Sequence, residues 1–190
     1  MDASPIKLAI ITGSTRENRF GPVVEGWFAR QVARRDDLEV DRIDLAEADL
    51  PATLTRVVPP QVRTLQARLS EADAFVVVTP EYNHGYPAPL KVAIDWFKRE
   101  WQTRPVGFVS YGGRSGGIRA VEQLRQVFAE LHATTVRDAV SIHNAWNEFD
   151  EEGRPRDEEG MAKAADALLD QLVWWGLGLR EARTKRPYVA

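Results

Sequence analysis

Cysteine is absent from all 190 residues. Disulfides, thiol nucleophiles, thiolate zinc sites and iron–sulfur clusters are excluded with it, so any redox chemistry must run through a bound cofactor. Long apolar runs are also missing: none approaches the roughly 20 residues that a bilayer crossing requires. Met1 to Pro5 reads MDASP and lacks the make-up of a signal peptide, so a cytoplasmic location is expected. Positive charge is not in excess, since 25 Lys and Arg against 28 Asp and Glu leave a net charge of -3. A surface that tracks a nucleic-acid backbone needs a basic excess, and no polybasic membrane patch is evident, so neither nucleic acid nor membrane is expected as a partner. Repeats and low-complexity segments are not found. What remains is a chain that is 44% hydrophobic, ample for one core and short for two, hence one domain over residues 1–190.

Apolar patterning alternates between two periods. Lys7 to Ile11, Leu38 to Leu45, Ala74 to Thr79, Pro105 to Tyr111 and Thr135 to Ile142 read as strands. Between and after them, apolar residues recur at helical spacing. They are Val23, Val24, Trp27, Phe28 and Val32; Val62, Leu65 and Leu69; Leu90, Ala93, Ile94 and Phe97; Val121, Leu124, Val127, Phe128 and Leu131; and Leu168, Leu169, Leu172 and Trp175. Ala46 to Pro60, with three prolines, is a connection, and Asp150 to Gly160 is a solvated loop. The last helix is expected from Met161 to Leu179, with Arg180 to Arg186 an exposed basic tail. Five strands alternating with five helices make a doubly wound α/β sheet. The expected fold is a flavodoxin-like three-layer sandwich, its five-stranded parallel sheet in the order 2-1-3-4-5.

That order makes strands one, three and four neighbours, so the loops after them, beginning at Gly13, Pro80 and Gly112, converge on one crevice. The loops after strands two and five carry no comparable concentration of glycine, aromatic and amide residues. Thr12 to Pro22 (TGSTRENRFGP) leads into a helix, whose free N–H groups and dipole favour an anion. Ser14 and Thr15 add hydroxyls, and Arg16 and Arg19 add planar forks. With neither a GKS/GKT sequence nor a GxGxxG fingerprint, the loop suits one terminal phosphate rather than a pyrophosphate. The second loop offers Tyr82 and Tyr86 with Asn83 between them, stiffened by Pro80, Pro87 and Pro89. Glycines 112, 113, 116 and 117 leave the third loop bare enough for a flat ring to approach its main chain. A phosphate at one end and a planar heterocycle at the other point to FMN.

These motifs resemble the flavodoxin-like NADPH-dependent FMN reductases, a family that includes quinone, azo-dye and metal-oxyanion reductases. Over roughly residues 6 to 145 the likeness is carried by GSTR (Gly13 to Arg16), by PEYN (Pro80 to Asn83) followed by PAPLKVAIDW (Pro87 to Trp96), and by SYGG (Ser110 to Gly113). The resemblance implies that Ser14, Arg16 and Arg19 hold the FMN phosphate, that Pro80, Glu81, Tyr82 and Asn83 line the ribityl chain and ring, and that Ser110, Tyr111, Gly112 and Gly113 meet the ring's other edge. It further implies hydride delivery from NADPH or NADH to FMN and passage of the electrons to a small acceptor: a quinone, free flavin, azo compound or metal oxyanion. The chemistry belongs to the flavin, and no side chain is expected to be an indispensable acid or base; His84 and Glu81 are read as a solvent-facing and a loop-bracing residue. Val92 departs from the family's usual Asn, and Arg19 from a frequent Ser.

Two rival classes were weighed. A flavodoxin-type electron carrier, with no substrate of its own, would be more acidic than -3. Gly113 to Gly117 fits the G-x-S-x-G nucleophile elbow of a serine hydrolase, yet only His132 and His143 follow it, with Asp138 close before the latter. Trp96, Phe97, Trp101, Trp174 and Trp175 are expected to contribute to a self-complementary aromatic face, and the family resemblance implies a homodimer or a homotetramer.

Overall fold

The computed structural model describes residues 4–189; the reading of Met1 to Pro5 as no leader falls mainly on residues 1–3, outside the described residues. The middle layer is a parallel sheet of β1 (Ile6–Thr12), β2 (Leu38–Asp44), β3 (Ala74–Pro80), β4 (Pro105–Tyr111), β5 (Thr134–Thr135) and β6 (Val140–Ile142). Its order is β2-β1-β3-β4-β5, with β6 also on β4. The helices are α1 (Gly21–Val32), α2 (Leu45–Ala48), α3 (Pro60–Glu71), α4 (Ala88–Trp96), α5 (Ile118–Glu130), α6 (Ala145–Glu148) and α7 (Glu158–Lys185). The flavodoxin-like order read from the sequence is the observed one.

Strand composition follows position. Every residue of β3 and β4 is buried, because parallel strands inside the sheet are covered on both faces, whereas the edge strand β2 buries only Ile43. Consecutive residues feed opposite cores: Ile10 and Val76 join Trp27, Phe28, Leu168 and Leu172 of α1 and α7. Ile11 and Val77 join Leu65, Leu69, Ile94, Leu124 and Phe128 of α3, α4 and α5. Gly107 lets α7 lie directly on β4, since a Cβ there would stand 2.6 Å from Leu168 Cδ1. The registers pair Thr12 with Val78 and Pro80 with Tyr111, so β1, β3 and β4 end on one rim.

Three expectations are corrected. The fifth strand is two pieces, not one. Val136 N–H still reaches Val106 O at 3.0 Å, but the Asp138 N–H is taken by Gln171 Oε1 of α7 at 3.2 Å, and Arg125 binds the carbonyls of Val136 and Arg137 at 2.7 and 3.0 Å. Side chains have replaced the ladder there. The basic tail is no exposed tail either: α7 runs on to Lys185. Arg180 and Arg183 close on the buried carboxylate of Asp73 at 3.0 and 3.1 Å, while Arg180 also binds the carbonyls of Ser4 and Pro5 and Arg183 that of Thr103. Nor do the aromatics form one face. Phe97 and Trp101 are core residues, with Trp101 packed edge-on against Phe75 and Phe128. Trp96 donates its indole N–H to Pro51 O at 2.9 Å, and Trp174 and Trp175 lie exposed on α7, in the other layer.

Candidate functional site

At the rim where β1, β3 and β4 end, the three loops meet. Ser14, wholly buried, shares a 2.8 Å hydrogen bond with the Tyr82 hydroxyl, across 68 positions of sequence. Glu81 N–H donates to Tyr111 O at 3.1 Å, and a Cβ on Gly112 would lie 3.8 Å from Glu81 Cβ. The first loop runs free of secondary structure until α1 begins at Gly21. The main-chain N–H groups of Ser14, Thr15, Arg16 and Glu17 donate to no group among the described residues. Consecutive main-chain donors left free in this way can take an anion. Arg16 is exposed, makes no ion pair among the described residues, and holds its guanidinium 6.0 Å from the Tyr82 ring centre. Arg19 is placed differently: it pairs with Asp44, which also caps α2 by accepting from Ala46 N at 3.0 Å.

The second loop is a tight hairpin in which Tyr82 and Gly85 exchange main-chain bonds of 2.8 and 3.0 Å. Its corner residues, Asn83 and His84, have φ of 50° and 69°. Two non-glycine residues in the left-handed region cost energy that the surroundings must hold in place, and α5 does the holding. Arg119 grips Glu81 Oε1 at 2.6 Å, while its own N–H donates to Glu81 Oε2 at 3.2 Å. The same guanidinium meets His84 Nε2, and Gln123 Nε2 donates to His84 O at 2.9 Å. A cleft of about 560 Å³ opens between the first two loops, lined by Thr15, Arg16, Glu81, Tyr82, Asn83 and the Pro87–Pro89 segment. A second of about 340 Å³ shares Thr15, Ala88 and Pro89 with the first and reaches Val92. Both volumes suit small-molecule sites.

In the third loop the side chains of Ser110 and Tyr111 turn into the fold. Ser110 Oγ donates to Gly116 O at 2.7 Å, a closeness that requires Gly117, at φ +87°, because a Cβ there would lie 2.6 Å from Ser110 Cβ. Tyr111 packs beside Phe20 with its hydroxyl buried and without a hydrogen-bond partner among the described residues. Burial drives its phenol well above the usual tyrosine range; Ser14 opposes that shift, though its own hydroxyl is engaged by Tyr82. What this loop offers the crevice is the main chain of Gly112 and Gly113. The hydrolase arrangement does not form: His143 donates Nδ1–H to Arg114 O at 2.7 Å, and Asp138 is held by Gln171 and Arg137.

One wall went unread in the sequence. The segment after β6 folds back onto the third loop, with Asn144 N–H on Gly113 O (2.9 Å) and Ala145 N–H on Gly112 O (3.1 Å). The signal was the composition of His143-Asn144-Ala145-Trp146-Asn147, an aromatic among amides. Arg119, too, escaped notice, because nothing local marks it as the partner of Glu81.

Fold and site together define a flavodoxin-like α/β protein whose first three interior loops meet at one rim of the sheet. Residues 6–147 match the family model described as NADPH-dependent FMN reductase, and the chain belongs to that family. An NAD(P)H-dependent FMN reductase of Schizosaccharomyces pombe is 34% identical over 147 residues, 72% of this chain and 73% of that protein. An NAD(P)H:quinone oxidoreductase of Solanum tuberosum is 32% identical over 183 residues, 89% and 93% of the two chains. Among solved structures, FerB, a flavoenzyme NAD(P)H:(acceptor) oxidoreductase of Paracoccus denitrificans, superposes with a TM-score of 0.76 at 24% identity, over 91% of this chain and 98% of its own. Its likeness shows the fold.

Proposed function

We propose that this chain holds one FMN across the three loops and uses NADPH or NADH to reduce a quinone-class acceptor. The observation that carries the reading is the row of unsatisfied N–H groups from Ser14 to Glu17, beside a cleft of about 560 Å³ lined by Tyr82 and Asn83. Those donors fit a phosphate monoester. Arg16 lies free to add a charge-assisted pair, whereas Arg19, committed to Asp44, braces the loop from behind. The main-chain N–H groups of Asn83 and His84 donate to no group among the described residues and would be available to the polar edge of a flat ring, on a loop that Arg119 and Gln123 hold through Glu81 and His84. The main chain of Gly112 and Gly113 would border that ring.

Bound FMN would supply two-electron transfer between the nicotinamide and the acceptor. The residues' part is orientation and hydrogen bonding. Glu81 and His84 are both tied to Arg119, which favours a bracing role for them over that of a general acid or base. Quinones are favoured by the name of the Solanum tuberosum relative; free flavin, azo compounds and metal oxyanions would meet the same ring. Family resemblance supports a homodimer or homotetramer, which sedimentation equilibrium tests against a lone 21.4 kDa species. No helix among the described residues is long and apolar enough to cross a membrane. The test of function is anaerobic addition of NADPH to the FMN-loaded protein, then a naphthoquinone. Bleaching of the flavin bands followed by their return supports the proposal. Bands that persist under NADPH overturn it.

A further inference from the structure

Trp146 stands apart from the other residues of its segment. Ala145 and Phe149 on either side are buried in the core, and Phe149 packs edge-on against Phe20 of the first loop at 5.6 Å. Trp146 contributes nothing to that core: it is 61% exposed. Its freedom does not come from a loose backbone, since the preceding residues are tied to Gly112 O and Gly113 O by main-chain bonds. His143 on the same segment packs against Gly116 and binds Arg114 O. The far edge of the indole, Cη2, stands 3.7 Å from where a Gly113 Cβ would be. A large apolar ring is therefore carried on a braced stalk and lies directly on the barest part of the third loop, with no side chain between.

We propose that Trp146 is the acceptor-selecting residue of the crevice, an aromatic wall against which the ring of a planar, quinone-class acceptor packs. The inference rests on the FMN reading above and deepens it. Aromatic faces favour flat π-systems in offset or edge-on contact, while a compact, strongly hydrated anion such as ferricyanide gains nothing from such a wall. Trp146 thus discriminates among oxidants that a bare flavin ring would accept alike. It is no part of the core, so its removal leaves the fold and the cofactor grip in place.

The test uses FMN-loaded wild type, Trp146→Ala and Trp146→Phe. Equilibrium dialysis measures menadione binding to the oxidised proteins, and steady-state kinetics at saturating NADPH gives KM for menadione and for ferricyanide. Trp146→Ala should weaken menadione binding and raise its KM relative to ferricyanide by about tenfold, with Trp146→Phe recovering most of the loss. The FMN dissociation constant, read by flavin fluorescence, should be the same in all three. Unchanged menadione binding in Trp146→Ala overturns the inference. So does a loss of FMN affinity in that variant, which would make Trp146 part of the cofactor cradle. If the wild type takes up no FMN, the underlying functional reading fails along with it.

Discussion

Ser14 and Tyr82 join the first and second loops through a single 2.8 Å hydroxyl contact, one partner fully buried and the other half-buried. Because each hydroxyl satisfies the other, removing one orphans its partner, and removing both does not. Ser14→Ala and Tyr82→Phe should each cost about 1 kcal/mol, and the double variant should cost little more than either alone. Urea denaturation of the four proteins measures this. Strictly additive losses would show that the contact carries no coupling.

Arg119 governs the shape of the second loop. In Arg119→Ala the carboxylate of Glu81, whose side chain is 5% exposed, keeps only the main-chain N–H of residue 119. The variant should lose about 2 kcal/mol of stability. Its FMN affinity should fall roughly tenfold as Asn83 and His84 relax from their left-handed conformations. Thermal melts and FMN titration check the two losses, and a variant with normal affinity would detach α5 from the site.

At the opposite rim, Asp73 answers Arg180 and Arg183 and also accepts from Lys7 N–H at 3.3 Å. Asp73→Asn strips a buried anion from two cations and should destabilise by about 3 kcal/mol. FMN binding should be untouched, because the cluster sits at the start of β3 and the crevice at its end. A large change in FMN affinity would mean that α7 communicates across the sheet.

Contacts between distant residues mark the boundary of what the sequence reveals. Strand order and loop convergence were legible because they follow from the alternation of apolar periods and from the rule that parallel strands need crossovers. The glycine- and aromatic-bearing loops at Gly13, Pro80 and Gly112 announce themselves in composition. Arg19 could not be placed, because whether a loop arginine meets an anion or a carboxylate such as Asp44 depends on a contact 25 positions away. The same holds for Arg180 and Arg183: the sequence shows basic residues at a helix end, which the dipole favours anyway, and is silent on Asp73. Trp146 follows an edge strand, whose loop by position alone belongs at the sheet's edge, yet the backbone doubles back to hydrogen-bond the third loop.

Tyr111 predicts an alkaline sensitivity. Burial raises its folded-state pKa above the ordinary value of about 10. The native protein therefore keeps the phenolic proton longer than the unfolded chain does. Ionisation of this group leaves stability unaffected below pH ~10 and lowers it as pH rises beyond that value, because the unfolded chain ionises first. Tyr111→Phe should flatten the alkaline limb of the stability curve of the FMN-free protein. It should also raise stability at neutral pH by about 1 kcal/mol, since the buried hydroxyl has no partner among the described residues. An unaltered alkaline limb would place the titration elsewhere.

The N–H groups of Ser14 to Glu17, with Arg16, are proposed to hold a terminal phosphate. The most direct measurement compares FMN with riboflavin, which differ only in that phosphate, by fluorescence titration of the wild-type protein and Arg16→Ala. The account predicts one FMN per chain, bound roughly a hundredfold more tightly than riboflavin, with the gap narrowed about tenfold or more in the variant. Equal affinities for the two flavins, or a gap that Arg16→Ala leaves intact, would contradict it.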